Sequence, residues 1–289
     1  IVFGDWSSDL CSSDLRNNAM ANQYWFGKTV LITGASGGIG ENAALFLAKK
    51  GLHVVLVARR LDKLQKIAAQ IEADWGKASI YQADLSQSDA RTSLVAKIVS
   101  DLGAPDILVN NAGMGWYGFF HKMPWSVARD IIDLNIMSTT HMTSLFLPHM
   151  MLLPKARIIN IGSISGKLPE QGIALYAASK AYMDTFTKCL YRELRGSNVN
   201  MSVLRAGPVK TDFYSRAIGL PSGGQVPGEF FAIKPERISS GIWYLINHPA
   251  RYSYVPFYLI ISPLLETLFS WALDLVGPIL LRNTKKKPA

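Results

Sequence analysis

KTVLITGASGGIG, from Lys28 to Gly40, is an aliphatic run that ends in a cluster of glycines. The run reads as a buried strand, and the ENAALFLAKK that follows has the apolar spacing of a helix. The turn between them is spaced Gly-x-x-x-Gly-x-Gly. Gly34 permits the tight turn, Gly38 removes a side chain where backbone must approach a pyrophosphate, and Gly40 lets the helix close on the sheet. The helix N-terminus then faces the phosphates with its free N–H groups.

Downstream, HVVLVA, ASIYQA and DILVN read as further strands, separated by the helical LDKLQKIAAQIEADW and SDARTSLVAKIVSDL. Alternation at this spacing predicts an α/β fold, a doubly wound parallel sheet with helices on both faces. Such a sheet binds ligands beyond the carboxyl ends of its strands. At the end of the second strand, Ala58 stands where a carboxylate would accept a ribose 2′-hydroxyl, and Arg59 follows it. A 2′-phosphate repels a carboxylate and welcomes a guanidinium, so NADP(H) is the expected cofactor, with Ser36 as a second phosphate donor.

A second constellation lies in SISGKLPEQGIALYAASK, Ser163 to Lys180. If ALYAASKAYMDTFTKCLYREL is a helix, Tyr176 and Lys180 stand at i and i+4 on one face. The ammonium is expected to pull the phenol pKa down from about 10 towards working pH, the condition for useful proton transfer. Ser163 ends the strand-like RIINIG, where its hydroxyl can hold a carbonyl oxygen beside the tyrosine.

Joined to the glycine-rich turn and to Asn110-Asn111-Ala112-Gly113, Tyr-x-x-x-Lys gives the chain a pattern that resembles the short-chain dehydrogenase/reductase family from Lys28 to Arg251. The resemblance implies a Rossmann fold of about seven strands and hydride transfer between a nicotinamide and a carbonyl or secondary alcohol. It implies catalytic roles for Asn135, Ser163, Tyr176 and Lys180, with Asn135 in DIIDLNIMST holding a water relay to Lys180. Cofactor contacts are expected from Gly34, Ser36, Gly38, Ile39, Gly40, Arg59, Asp84, Asn111, Ala112, Gly113, Tyr176, Lys180, Val209 and Thr211. Within that set, Asp84 meets the adenine edge, Gly113 lies against the ribose, and Val209 and Thr211 hold the carboxamide; Asn110, outside it, secures the sheet.

After the sixth strand-like run, VNMSVLRAG, the family's Pro-Gly is here Ala206, followed by Gly207-Pro208. From Phe213 to Ile233 the chain is rich in Gly, Pro and aromatics, as a lid over an apolar substrate would be, with Phe213, Tyr214, Leu220, Phe230 and Phe231 facing it. Met114, Trp116, Tyr117, Phe119 and Phe120 are expected on the opposite wall. A non-catalytic dinucleotide sensor is the alternative; the presence of all four polar catalytic residues favours an enzyme.

The composition, 49% hydrophobic and 18% charged, suits one large core. Residues 1–19 carry the near tandem Ser-Ser-Asp-Leu-Cys-Ser-Ser-Asp-Leu with no periodicity, and read as a non-native or disordered leader outside the fold. Without its Asp5, Asp9, Asp14 and Arg16 the formal charge rises from +9 to about +11. Cys11 belongs to the leader, so Cys189 stands alone, expected to be packed within its helix; no disulfide is possible and a reducing, cytoplasmic setting is favoured. The five histidines lack ligand spacing, so no metal is expected, and no nucleic-acid motif is present.

The domain is read as residues 20–251, with 252–289 as an added amphipathic helix and a basic tail (Arg282, Lys285, Lys286, Lys287), an extension similar to that of hydroxysteroid dehydrogenase-like members. On a helical wheel Glu266, Thr267, Ser270, Asp274 and Gly277 share a narrow side, and leucines with Trp271 spread over the rest. Glu266, Asp274 and the prolines argue against a span. Peripheral membrane contact through 264–287, a subunit contact and a cover for the pocket are all open. A homodimer or homotetramer is implied by the resemblance, through the helices of Asn135 and Tyr176.

Overall fold

The computed structural model describes residues 23–213, 215, 217, 220 and 231–282, the last with backbone alone at 273 and 276–282. Seven parallel strands form one sheet in the order β3-β2-β1-β4-β5-β6-β7. They are β1 (Thr29–Thr33), β2 (His53–Ala58), β3 (Lys77–Gln82), β4 (Ile107–Asn110), β5 (Ala156–Ser163), β6 (Val199–Ala206) and β7 (Tyr252–Val255). The sequence-predicted strands all appear. β7 pairs with β6 from Tyr252 to Val255, so the sheet continues past the boundary read at Arg251.

Because side chains alternate across a strand, each central strand feeds two cores. Val30, Ile32, Val54 and Leu56 meet α1 (Gly38–Lys49), α2 (Leu61–Ala73) and α7 (Pro235–Asn247). Leu31, Val55 and Val57 point the other way, into the layer of α3 (Ser88–Leu102) and α5 (Ser138–Met150). α6 (Ala174–Glu193) lies against β5 and β6.

The long helix expected around Asn135 is α4 (Trp125–Ile131) running into α5 through a π-helical segment, Ile132–Met137. Such a widened turn changes the direction of the side chains it carries, and Asn135 is turned fully inward.

The chain leaves β1 towards β2 and β3 on one side, and returns to β4 on the other. The connections therefore diverge at the carboxyl ends of β1 and β4, and the main cleft of the described residues opens there. At the far edge, the turn Phe257–Ile261 and α8 (Ser262–Arg282) follow β7. Leu264, Leu268, Phe269, Trp271 and Leu275 on α8 are exposed, as are Phe257, Tyr258, Ile260 and Ile261 before it. The apolar arc of this helix is thus uncovered by the described part of its own chain.

Candidate active site

One half of the cleft is built from backbone. Gly34 has φ +66, and a Cβ on it would come within 2.9 Å of the Ala112 Cα. At Gly40 a Cβ would stand 2.4 Å from the Gly34 carbonyl oxygen, so any side chain there would force α1 off the turn. The turn is tied to β4 by Thr33: its hydroxyl accepts from the N–H groups of Asn111 (2.9 Å) and Ala112 (3.0 Å) and donates to the Val109 carbonyl. The Asn111 side chain donates back to the Thr33 carbonyl at 2.9 Å.

Gly34, Ser36, Gly38, Ile39, Asn111, Ala112 and Gly113 all line the cleft, with Arg59 and Asp84 at one end and Val209 and Thr211 at the other. Gly38 faces Thr211 across it. The loop carrying Val209 is fixed despite its departure from Pro-Gly. The Ile233 N–H donates to the Pro208 carbonyl (2.8 Å) and Lys210 N–H to the Ile233 carbonyl (2.9 Å), while Gly207 N–H bonds the Val255 carbonyl.

Both arginines after β2 line the cleft: Arg59 stands 3.8 Å from Asp84, and Arg60 donates to the Ser36 carbonyl (2.7 Å) and the Ser36 hydroxyl (3.1 Å). Sequence reasoning missed Arg60, since adjacent arginines at the start of a helix look alike until the backbone fixes their directions. Asp84 itself accepts from the N–H and hydroxyl of Ser86.

The four polar positions expected to be catalytic come together. Asn135 accepts from Met114 N–H (2.9 Å) and donates to the Met114 carbonyl and the Ser179 hydroxyl. Ser179 in turn donates to the Tyr176 carbonyl at 2.7 Å, so the first turn of α6 is bolted to the π segment. Ser163 lies at the end of β5 and is hydrogen-bonded to the Tyr176 phenol. Lys180 Nζ, buried, donates to the Ile161 carbonyl at 2.8 Å and stands 5.7 Å from the centre of the Tyr176 ring.

This geometry corrects one expectation. Burial pushes the Tyr176 phenol up to about 12, against which the Ser163 hydrogen bond pulls down. The same desolvation brings the Lys180 ammonium down to about 8. Loss of water outweighs the attraction of a lysine whose ammonium is aimed at a carbonyl rather than at the phenolic oxygen.

On the substrate side of Tyr176 the wall holds Gly115, Trp116, Ile164, Ile173, Phe213 and Ala217. Phe213 packs on the Tyr176 ring with centroids 5.6 Å apart, and a side chain at Gly115 would collide with it. Of the five residues expected on the opposite wall, Trp116 is the one that lines the cleft. Tyr117 and Met114 are taken into small apolar clusters, and Phe120 projects into solvent. Of the expected lid, Leu220 packs beside Trp116 and Phe231 is exposed, while Tyr214 and Phe230 lie outside the described residues. Cys189, expected to be packed, is exposed on α6.

Two further groups escaped sequence reasoning. Glu170 lines the cleft from a loop without periodicity. Asp184 lies two turns beyond Tyr176 and gathers three cations. Lys167 approaches it at 2.6 Å, Lys188 at 3.0 Å and Arg205 at 2.6 Å, and Arg205 also donates to the Tyr254 hydroxyl. It thereby joins the turn after Ser163, the tyrosine helix and the end of β6. An i, i+4, i+8 stripe of Tyr176, Lys180 and Asp184 could have signalled it.

Comparison with known proteins agrees with this arrangement. Residues 28–218 match the short chain dehydrogenase family. The chain is 34% identical to an uncharacterized oxidoreductase of Staphylococcus saprophyticus, over 83% of this chain and 98% of that one. Among solved structures it is similar to a metagenomic short-chain oxidoreductase in complex with NADP (TM-score 0.68, 30% identity, covering 79% of this chain and 96% of that one). It is also similar to a short-chain dehydrogenase from Sphingobium yanoikuyae in complex with NADPH (TM-score 0.72, 26% identity, covering 91% and 98%).

Proposed function

The chain belongs to the short-chain dehydrogenase family, and we propose on that footing that it is an NADPH-dependent reductase of the carbonyl group of an apolar compound. The reading is carried by one observation: Ser163 and Tyr176 are hydrogen-bonded to each other beside Lys180, at the inner end of a cleft whose outer half is glycine backbone. The cofactor fits the residues present. Gly37, Gly38 and Ile39 line the cleft at the start of α1, where free N–H groups suit a pyrophosphate, and no carboxylate ends β2 to repel a 2′-phosphate. Arg60 and Ser36 already form a donor corner for that phosphate.

When bound, NADPH supplies the hydride. Ser163 holds the substrate oxygen by a hydrogen bond, and Tyr176, kept protonated by its burial, gives that oxygen its proton. Lys180 holds the nicotinamide ribose and, through the Asn135 region, replaces the proton on Tyr176. Val209 and Thr211 hold the carboxamide. Trp116, Ile164, Ile173 and Phe213 exclude water from the reacting carbon and favour an apolar chain. NADPH oxidation across carbonyls graded by chain length tests this reading. Rates that rise with apolar length support it, and absence of turnover with every carbonyl while NADPH binds would remove it.

Two features of setting go with the proposal. Met137 and Tyr182, on the helices of Asn135 and Tyr176, are partly exposed large residues suited to a homodimer or homotetramer contact. The uncovered face of α8, followed in sequence by Lys285 to Lys287, suits peripheral contact with an anionic membrane. No helix of the described residues is long and apolar enough to cross one.

A further inference from the structure

The short turn Ile164–Gly166 that follows Ser163 is seated on α6 at three successive levels. At the first, the Ser163 hydroxyl is hydrogen-bonded to the Tyr176 phenol. At the second, Gly166 is pressed against the helix backbone: a Cβ on it would stand 2.8 Å from the Lys180 carbonyl carbon and 2.8 Å from the Ala181 nitrogen. At the third, the Lys167 ammonium reaches the Asp184 carboxylate at 2.6 Å. Residues 176, 180 and 184 lie on one face of a helix, so the turn runs along α6 in a fixed register.

The serine hydroxyl moves with that turn. Its oxygen accepts the Ser165 N–H at 3.1 Å, and Lys167 and Leu168 donate their own N–H groups to the Ile164 carbonyl at 2.7 and 2.8 Å. Ser163 to Lys167 is thus one closed unit with Lys167 at its outer end. Of the three cations around Asp184, Lys188 belongs to α6 itself and Arg205 to β6, so Lys167 is the one that carries the turn. The Asp184 side chain is 4% exposed and that of Lys167 23%, so little water competes for the contact. Neither residue is in the described lining of the cleft.

Resting on the reductase reading, we propose that Lys167 and Asp184 are positioning residues: their ion pair sets the register of the turn on α6 and so holds the Ser163 hydroxyl where Tyr176 and the substrate oxygen meet it. The pair acts through Ser163 and touches neither substrate nor cofactor.

Lys167→Gln cuts the turn from Asp184 and leaves Lys188 and Arg205 in place, while Lys167→Arg keeps a cation there. Full-length protein labelled with 3-fluorotyrosine and saturated with NADPH reports the surroundings of Tyr176 by fluorine NMR, the resonance being identified by its loss in Tyr176→Phe. Lys167→Gln should shift that resonance in the same direction as Ser163→Ala and add no further shift in the double variant, and Lys167→Arg should leave it in place. In turnover of a carbonyl, kcat should fall by about tenfold in Lys167→Gln, inside the roughly 10²-fold that a misplacement of about 1 Å can cost, with NADPH affinity unchanged as the measure of an intact fold. On top of Ser163→Ala the same change should cost no more than about twofold, since residues that act through one contact are not additive. A resonance unmoved by Lys167→Gln, one moved as far by Lys167→Arg, or a loss of about tenfold that persists on top of Ser163→Ala would overturn the proposal and leave the pair a merely structural one. Failure to reduce any carbonyl while the resonance follows Lys167 and Ser163 alike counts against the reductase reading and not against the positioning.

Discussion

α6 and α8 are of nearly equal length, 20 and 21 residues, and they invert the usual link between composition and burial. The inner face of α6 presents Ser179, Lys180, Asp184 and Thr187, all buried. Each is matched: Ser179 by Asn135, Lys180 by the Ile161 carbonyl, Asp184 by its three cations, and Thr187 by Asn160 and the Met183 carbonyl. α8 is mostly apolar, with leucine its commonest residue, yet Trp271 is 62% exposed and Leu275 66%. What decides burial is the surface a helix is laid on. α6 lies on β5 and β6, while α8 follows the edge strand β7 and its apolar row is left uncovered by the described residues. The polar helix is where chemistry can be organised, because a buried polar group with all its partners is held in one place.

The sharpest test of that contrast is Tyr176→Phe, which removes one oxygen from α6. Turnover should fall by about 10²- to 10⁴-fold, the share of general acid catalysis, while NADPH binding stays nearly intact. Single-turnover oxidation of NADPH with cofactor binding measured alongside distinguishes the two, and turnover within tenfold of the unaltered protein would break the assignment of the acid.

Asp184→Asn asks what the polar face contributes to the fold. Burial alone would raise this carboxyl, but Lys167, Arg205 and Lys188 hold it below the usual carboxylate range. A depressed pKa in the folded state gives stability that is complete above the unfolded value and is lost as pH falls through the folded one. The variant leaves three cations around a neutral amide, and should lose about 3 kcal/mol at neutral pH. Urea unfolding should show the two proteins converging below about pH 4. A neutral-pH loss under about 1 kcal/mol would mean that the cluster is a surface-like pair of little weight.

Arg60→Ala sharpens the comparison at the cofactor end. Arg60 is bonded to Ser36 beside the glycine turn and Arg59 is drawn towards Asp84, so Arg60→Ala should erode the NADPH preference over NADH by about tenfold and Arg59→Ala by distinctly less, as calorimetry would show. The reverse order would return the phosphate contact to Arg59.

How far the sequence alone reached follows from the same physics. The strands were legible because buried parallel strands are short apolar runs, and the glycine turn because a Cβ at Gly34 or Gly40 has nowhere to go. Tyr176 and Lys180 were legible through helical spacing. Their proton affinities were not, since those depend on how much water the fold removes. The direction of Arg60, the inward turn of Asn135 in a π segment and the place of Glu170 all rest on backbone paths without periodicity, so no pattern in the residues announces them.

α8 supplies the last test, and the smallest effect per residue. Its exposed row, Leu264, Leu268, Trp271 and Leu275, with Phe257 in the turn before it, is more than a helix normally leaves in water, and the sequence continues into Lys285, Lys286 and Lys287. Apolar side chains can enter the headgroup boundary while lysines meet anionic lipid, each contributing roughly 1 kcal/mol near such a surface. Full-length protein should therefore sediment with vesicles containing phosphatidylserine at low salt. Each Lys→Gln change in the tail should weaken this by about fivefold, and truncation after Pro263 should abolish it. Because Leu259 and Pro256, the residues that reach Gly207, are kept by that truncation, NADPH binding should survive it. Protein that stays in the supernatant at low salt, or a truncated form that sediments equally well, would put the cover of α8 elsewhere. A concentration-dependent change in mass abolished by the same truncation would then identify a second copy of the chain as what the helix lies on.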